Sequence, residues 1–182
     1  MGRIACGLVG VLMTVAAVST LADQKTTEVH PGKGGSPHVK TDWMIDGAAI
    51  SIEYGRPSLK GRPEADVMPS GKPWRTGADE ATVLTTDKAL KFGTVSLEPG
   101  TYTINTQPGD KEWQLVIGKL GKPRQWGVPY NQSLEIGRAP MQRSKAKAPA
   151  EQLTISIDDT ASGGTLRVEW GTSSASIPFT VG

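Results

Sequence analysis

The feature that most constrains this chain is a strict period of two in its last third. Leu153, Ile155 and Ile157 alternate with Thr154 and Ser156; Leu166, Val168 and Trp170 alternate with Arg167 and Glu169; Ile177, Phe179 and Val181 close the chain. Successive side chains of a strand point to opposite faces, so this rhythm gives one apolar and one polar face and is incompatible with a helix. The same beat occurs upstream in Ile50, Ile52 and Tyr54, in the short β-prone segments 81–86 and 89–92, and in Trp113, Leu115 and Ile117. Val116 breaks the alternation, so that strand is read as covered on both sides. Glu98-Pro99-Gly100-Thr101 has the proline-then-glycine centre of a type II turn and joins 95–97 to 101–106. The 22 glycines and 13 prolines suit many turns. Eight or nine short strands are predicted, forming an all-β fold: a single antiparallel β-sandwich over 38–182 with Greek-key or jelly-roll topology.

The N-terminus follows a different rule. Arg3, the apolar run 4–18 and the small-x-small Thr20-Leu21-Ala22 read as a signal peptide over 1–22, because the run is shorter than the ~20 residues that span a bilayer. Cleavage after Ala22 predicts a periplasmic or secreted protein with no membrane association, and it removes Cys6, the single cysteine. Disulfides and thiol chemistry are thereby excluded from the mature chain. Residues 23–37 lack apolar periodicity and read as a flexible polar tether. A formal charge of +2 argues against a nucleic-acid partner.

The stretch Trp74-Arg75-Thr76-Gly77-Ala78-Asp79-Glu80-Ala81-Thr82 holds the densest chemistry, at the junction of a Gly/Pro/Arg-rich loop and a strand. Trp74 offers a flat face for a sugar ring or for the core. Arg75 offers a planar fork for a carboxylate or phosphate, or for Asp79 or Glu80 within the loop. Arg56 and Arg62 lie in the two neighbouring Gly-Arg-Pro loops, and Trp126 and Tyr130 in the long connection 118–132. These eight residues are the ligand-binding candidates. The basic run Arg138, Arg143, Lys145, Lys147 reads as a solvated edge.

Catalytic readings are thinner. A serine nucleophile needs a base, and His30 and His38 lie in or beside the tether. Glu53, Glu64, Asp66, Asp79 and Glu80 are the acids a carboxylate-based hydrolase could use. Neither a metal nor a cofactor is expected, since no cysteine, further histidine or closely spaced carboxylate set completes a site around the two histidines.

The signature 74–82 resembles that of an exported bacterial family, domain of unknown function family 2911. The likeness extends through Tyr54-Gly55-Arg56-Pro57, Lys60-Gly61-Arg62, Pro69-Ser70-Gly71, Pro99-Gly100-Thr101-Tyr102, Trp113, Trp126-Gly127 and Tyr130, over 36–182. The family usually has asparagine where this chain has Asp79. The resemblance implies an exported domain of unassigned activity and carries no catalytic residue. The favoured reading is a non-catalytic module for a small molecule, carbohydrate or envelope protein; the alternative is a carboxylate-based hydrolase, for example on carbohydrate.

Overall fold

The computed structural model describes residues 20–21, 24–123, 126–127 and 130–182. The leader read from the sequence lies outside these residues apart from Thr20 and Leu21. The strands are β1 (Thr20–Leu21), β2 (Gln24–His30), β3 (His38–Ile45), β4 (Ala48–Gly55), β5 (Ala78–Thr86), β6 (Leu90–Phe92), β7 (Val95–Leu97), β8 (Gly100–Gln107), β9 (Glu112–Lys119), β10 (Glu135–Thr160) and β11 (Gly163–Val181). A turn of α-helix, α1 (Glu64–Val67), and a 3₁₀ turn over Gln132–Leu134 interrupt them.

All-β, antiparallel architecture is as expected from the alternation. The strands hydrogen-bond as one continuous sheet in the order β2-β3-β4-β5-β8-β9-β10-β11-β6-β7, with β1 on β10. Consecutive strands are neighbours through most of this order, and one hairpin, β6-β7, is carried to the far edge beside β11. Two expectations are corrected. The tether is an edge strand over Gln24–His30, paired with β3 from Gln24↔Trp43 onward; its exposed polar side chains hid the strand, because an edge strand needs backbone partners and not an apolar face. The last strands are also not short. β10 runs 26 residues and β11 runs 19, and register shifts between Lys145 and Thr154 bend the pair past Pro149 without breaking it.

The core lies on the face defined by the alternation. Ile50, Ile52 and Tyr54 of β4 are buried together with Leu153, Ile155 and Ile157 of β10 and Leu166 and Val168 of β11. Val116 is buried on the opposite face of β9, so this strand is covered on both sides as predicted.

The chain after β4 closes the sheet. Beyond Gln142, β10 no longer pairs with β9, which leaves backbone groups at Leu153 and Ile155 to be satisfied. The Pro57 carbonyl accepts from Leu153 N at 2.9 Å. Arg56 Nε donates to the Leu153 carbonyl at 3.1 Å, and Ile155 N donates to Tyr54 Oη at 2.9 Å. The Tyr54-Gly55-Arg56-Pro57 stretch thus stands in for a missing neighbour strand. Tyr54→Phe removes the hydroxyl that accepts from the buried Ile155 N–H and should cost about 1–3 kcal/mol, read as a lower urea midpoint at unchanged slope. A loss below ~0.5 kcal/mol would contradict this closure.

Candidate functional site

The signature stretch forms a bulge in the sheet. Five residue steps from Ala78 to Val83 on β5 face only two from Gly55 to Glu53 on β4, so three residues of β5 are looped out. Two glycines permit the close approach this requires. A Cβ on Gly55 would lie 2.4 Å from the Ala78 carbonyl oxygen, and one on Gly77 would lie 2.7 Å from Thr82 Oγ1. Two other residues take positive φ, Thr76 at 52° and Asp79 at 67°. Thr76 is β-branched, so its conformation costs roughly 1–3 kcal/mol and must be imposed by its surroundings. Its hydroxyl bonds Thr106 Oγ1 at 2.9 Å, and its carbonyl accepts from Thr82 Oγ1 at 2.9 Å. Aspartate and asparagine tolerate the left-handed region best after glycine, which gives a backbone reason for either at position 79. Trp74 fills the ladder position that β5 vacates, exchanging backbone bonds with Thr106 at 2.9 and 3.1 Å.

The bulge sends Glu80 to the outer face of the sheet, opposite the core. His38 and Glu53 belong to the same outer row, since they alternate with core-facing Val39 and Ile52 on the paired strands β3 and β4. His38 Nε2 lies 3.3 Å from Glu53 Oε1 and 4.0 Å from Glu80 Oε2, and His30 Nε2 lies 3.5 Å from Glu80 Oε1. The two imidazoles stack with centroids 4.7 Å apart and planes within 10°. His38 is 1% exposed, Glu80 16% and His30 32%. Burial pushes the His38 pKa below its ordinary value, and the Glu80 and Glu53 carboxylates oppose that shift without cancelling it. His38 therefore resists protonation although it faces two acids.

Here the sequence reading is corrected. It placed the histidines in or beside a tether with no closely spaced carboxylates to complete a site, whereas β2 and β3 bring both rings together and β4 and β5 supply two glutamates. Residues 30 and 38 were missed as site residues, and Glu53 was read only as one of five separate acids. The signal for two of them was Ile45-Asp46-Gly47-Ala48, a two-residue hairpin turn that fixes Ile45 opposite Ala48 and hence His38 opposite Gly55, diagonal to Glu53.

Of the eight candidates, the structure brings some together and disperses others. Asp79 is a junction. Its carbonyl accepts from Arg75 Nη1 at 2.6 Å and from Gly127 N at 2.8 Å, and its Oδ2 accepts from Lys33 N at 3.1 Å. Trp126 is 42% exposed, with the Lys33 ammonium 4.7 Å from its ring centroid; its neighbours Val128 and Pro129 lie outside the described residues. Arg62 bonds the Leu59 and Ser58 carbonyls at 2.9 and 2.7 Å. Trp74 stacks on Trp170 at 5.7 Å, and Arg56 is committed to closing the sheet. Arg62, Trp74 and Arg75 line one shallow pocket, and Arg56 is not among its lining residues. Nor does Arg75 form the expected ion pair with Asp79 or Glu80; its bond goes to the Asp79 backbone.

A second feature of the outer face is a cleft of about 260 Å³ over β5, β8 and β9, lined by Arg75, Asn105, Lys119, Lys122, Tyr130 and Glu135 among others. Tyr130 donates to Glu135 Oε2. Arg138 grips the same carboxylate through Nε at 2.7 Å and Nη2 at 2.9 Å. The Arg138 hydrogen bonds hold Glu135 below the usual carboxylate range, while burial and the Glu135 carboxylate raise the Tyr130 phenol. Arg138, read as part of a solvated edge, is instead the cation that neutralises this acid.

Together, the fold and site define a small antiparallel β domain with a partly buried histidine–glutamate cluster and a cationic cleft on one outer face. The chain belongs to the family described as protein of unknown function (DUF2911), whose model matches residues 36–179. No curated protein and no solved structure matches it.

The backbone bond of Arg75 yields a prediction. Arg75→Ala should cost about 2 kcal/mol, the value of a hydrogen bond from a charged donor, in place of the ~3–5 kcal/mol of a broken buried ion pair. Arg75→Lys should recover part of it. Denaturant melts check this, and a loss near 5 kcal/mol would mean that an acid partner is being orphaned.

Proposed function

We propose that this chain is a non-catalytic ligand-binding module of the cell envelope, exported by its leader, and that the cleft bounded by residues 119–122 and 130–135 takes a small anionic ligand. The observation that carries the reading is a charge imbalance. Arg75, Lys119 and Lys122 line the cleft against one carboxylate, Glu135, and that carboxylate is already bound by Arg138 and Tyr130. The remaining positive charge favours a carboxylate- or phosphate-bearing molecule. Asn105 and Asn131 add neutral hydrogen-bonding groups, and Val116 and Leu134 an apolar floor and wall, the mixture typical of small-molecule sites. A cleft of this size suits a ligand no larger than a monosaccharide acid.

One observation favours a second reading, a carboxylate-based hydrolase. Glu53 and Glu80 meet around His38, a pair of acids beside a base that the sequence suggested only as separate residues.

Calorimetry with glucuronate, inorganic phosphate and neutral glucose tests the first reading. Glucuronate or phosphate should bind, weaken with added salt, and lose at least about tenfold affinity in the Lys119→Ala/Lys122→Ala double variant, while glucose should not bind. Equal binding of glucose, or unchanged affinity in the double variant, would reject an anion site. Turnover of an aryl glycoside, lost in Glu53→Gln and Glu80→Gln, would instead move the assignment to the hydrolase.

A further inference from the structure

The histidine–glutamate cluster lies apart from the residues that line the cleft, and its donors suggest a separate role. The side chains of His30, His38 and Glu80 each present a ligand atom, all within 4.8 Å of one another. An ion bonded to nitrogen or oxygen at about 2.1 Å holds tetrahedral neighbours about 3.4 Å apart. The His30–Glu80 separation is 3.5 Å and the His38–Glu53 separation 3.3 Å, while His38–Glu80, at 4.0 Å, is wider. Buried donor atoms there lack hydrogen-bond partners among the described residues: His30 Nε2, although Glu80 is near it, and Nδ1 of the 1% exposed His38. The four side chains come from four successive strands of the sheet, β2 to β5, so their backbones are fixed by ladders before any ligand arrives.

We propose that His30, His38 and Glu80, with Glu53 beside them, form a binding site for a divalent transition-metal ion of the zinc type. Imidazole with carboxylate is a borderline donor set, suited to Zn²⁺, Co²⁺ or Ni²⁺, whereas Ca²⁺ and Mg²⁺ prefer oxygen alone. One adjustment accompanies binding. A metal ion lies in the plane of each imidazole that ligates it, and two stacked parallel rings have no common line on which to place it. His30 supplies the movement. It ends β2 and is the most exposed of the three, and turning its ring about the Cβ–Cγ bond gives up the stacking on His38 and one hydrogen bond, the 3.1 Å bond from Gly32 N to Nδ1. That contact places a lone pair on Nδ1 and the ring proton on Nε2, so its loss lets the proton leave Nε2 and that nitrogen face the ion.

The test uses the full-length chain stripped with chelator and titrated with Zn²⁺, followed by calorimetry and thermal melting. One equivalent should bind and raise Tm by several degrees, and Co²⁺ should give visible absorption bands of a low-coordinate site. Glu80→Gln and His30→Ala should each weaken Zn²⁺ binding at least about tenfold, with the metal-free Tm nearly unchanged. His38→Ala, which empties a buried position, is read only through its Co²⁺ spectrum. No rise in Tm with Zn²⁺, unchanged affinity in Glu80→Gln, or an equal response to Mg²⁺ would each overturn the assignment.

Discussion

The close approach of β4 to the start of β5 is the constraint on which the rest of this molecule depends. Gly55 and Ala78 pair so tightly that no side chain fits between them, and the surplus chain up to Val83 must go somewhere. It forms the bulge, with Thr76 and Asp79 in left-handed conformations. Three consequences follow. Trp74 takes over the vacated ladder position on β8. The Asp79 carbonyl turns outward to receive Arg75 and the Gly127 amide. Glu80 swings to the outer face against the histidines. A strained segment is maintained at a cost, and here its product is the position of one carboxylate.

The two faces of the sheet are thereby given different work. The inner face is a continuous apolar core, closed where the Tyr54–Pro57 stretch hydrogen-bonds to the free edge of β10. The outer face, where an antiparallel sheet would ordinarily be solvated, carries the histidine–glutamate cluster over β2 to β5 and the cleft over β5, β8 and β9. Arg75 and Glu80 belong to one bulge, so the two sites share a support, although the chemistry proposed for each is distinct.

How much of this was legible in the sequence follows from which signals are local. Period-two alternation and Pro-Gly turns are local, and they gave the all-β class, the β7–β8 turn and the double cover of β9. The importance of the 74–82 stretch was also visible, since glycine, aspartate and tryptophan in sequence mark an irregular backbone. Its geometry was not, because the bulge is a relation between β5 and β4. Strand β2 was missed because an edge strand with polar side chains has no apolar period to read. With β2 went His30, and with it the recognition that His38 and Glu80 have partners. The Asp46-Gly47 turn would have recovered His38 and Glu53 from register alone. The ion pair expected for Arg75 failed for a related reason: sequence proximity to Asp79 and Glu80 gave no account of the Asp79 carbonyl, which the left-handed turn presents instead.

The central claim is that the bulge holds the Glu80 carboxylate against His38. The most direct measurement is an NMR titration of the imidazole nitrogens in chelator-stripped protein, comparing the unmodified chain with Glu80→Gln. Burial lowers the His38 pKa and the Glu80 charge opposes that shift, so removing the charge at constant shape should move His38 further down. A His38 titration that is the same in both proteins, or that sits at the value of a solvent-exposed histidine, would contradict the account.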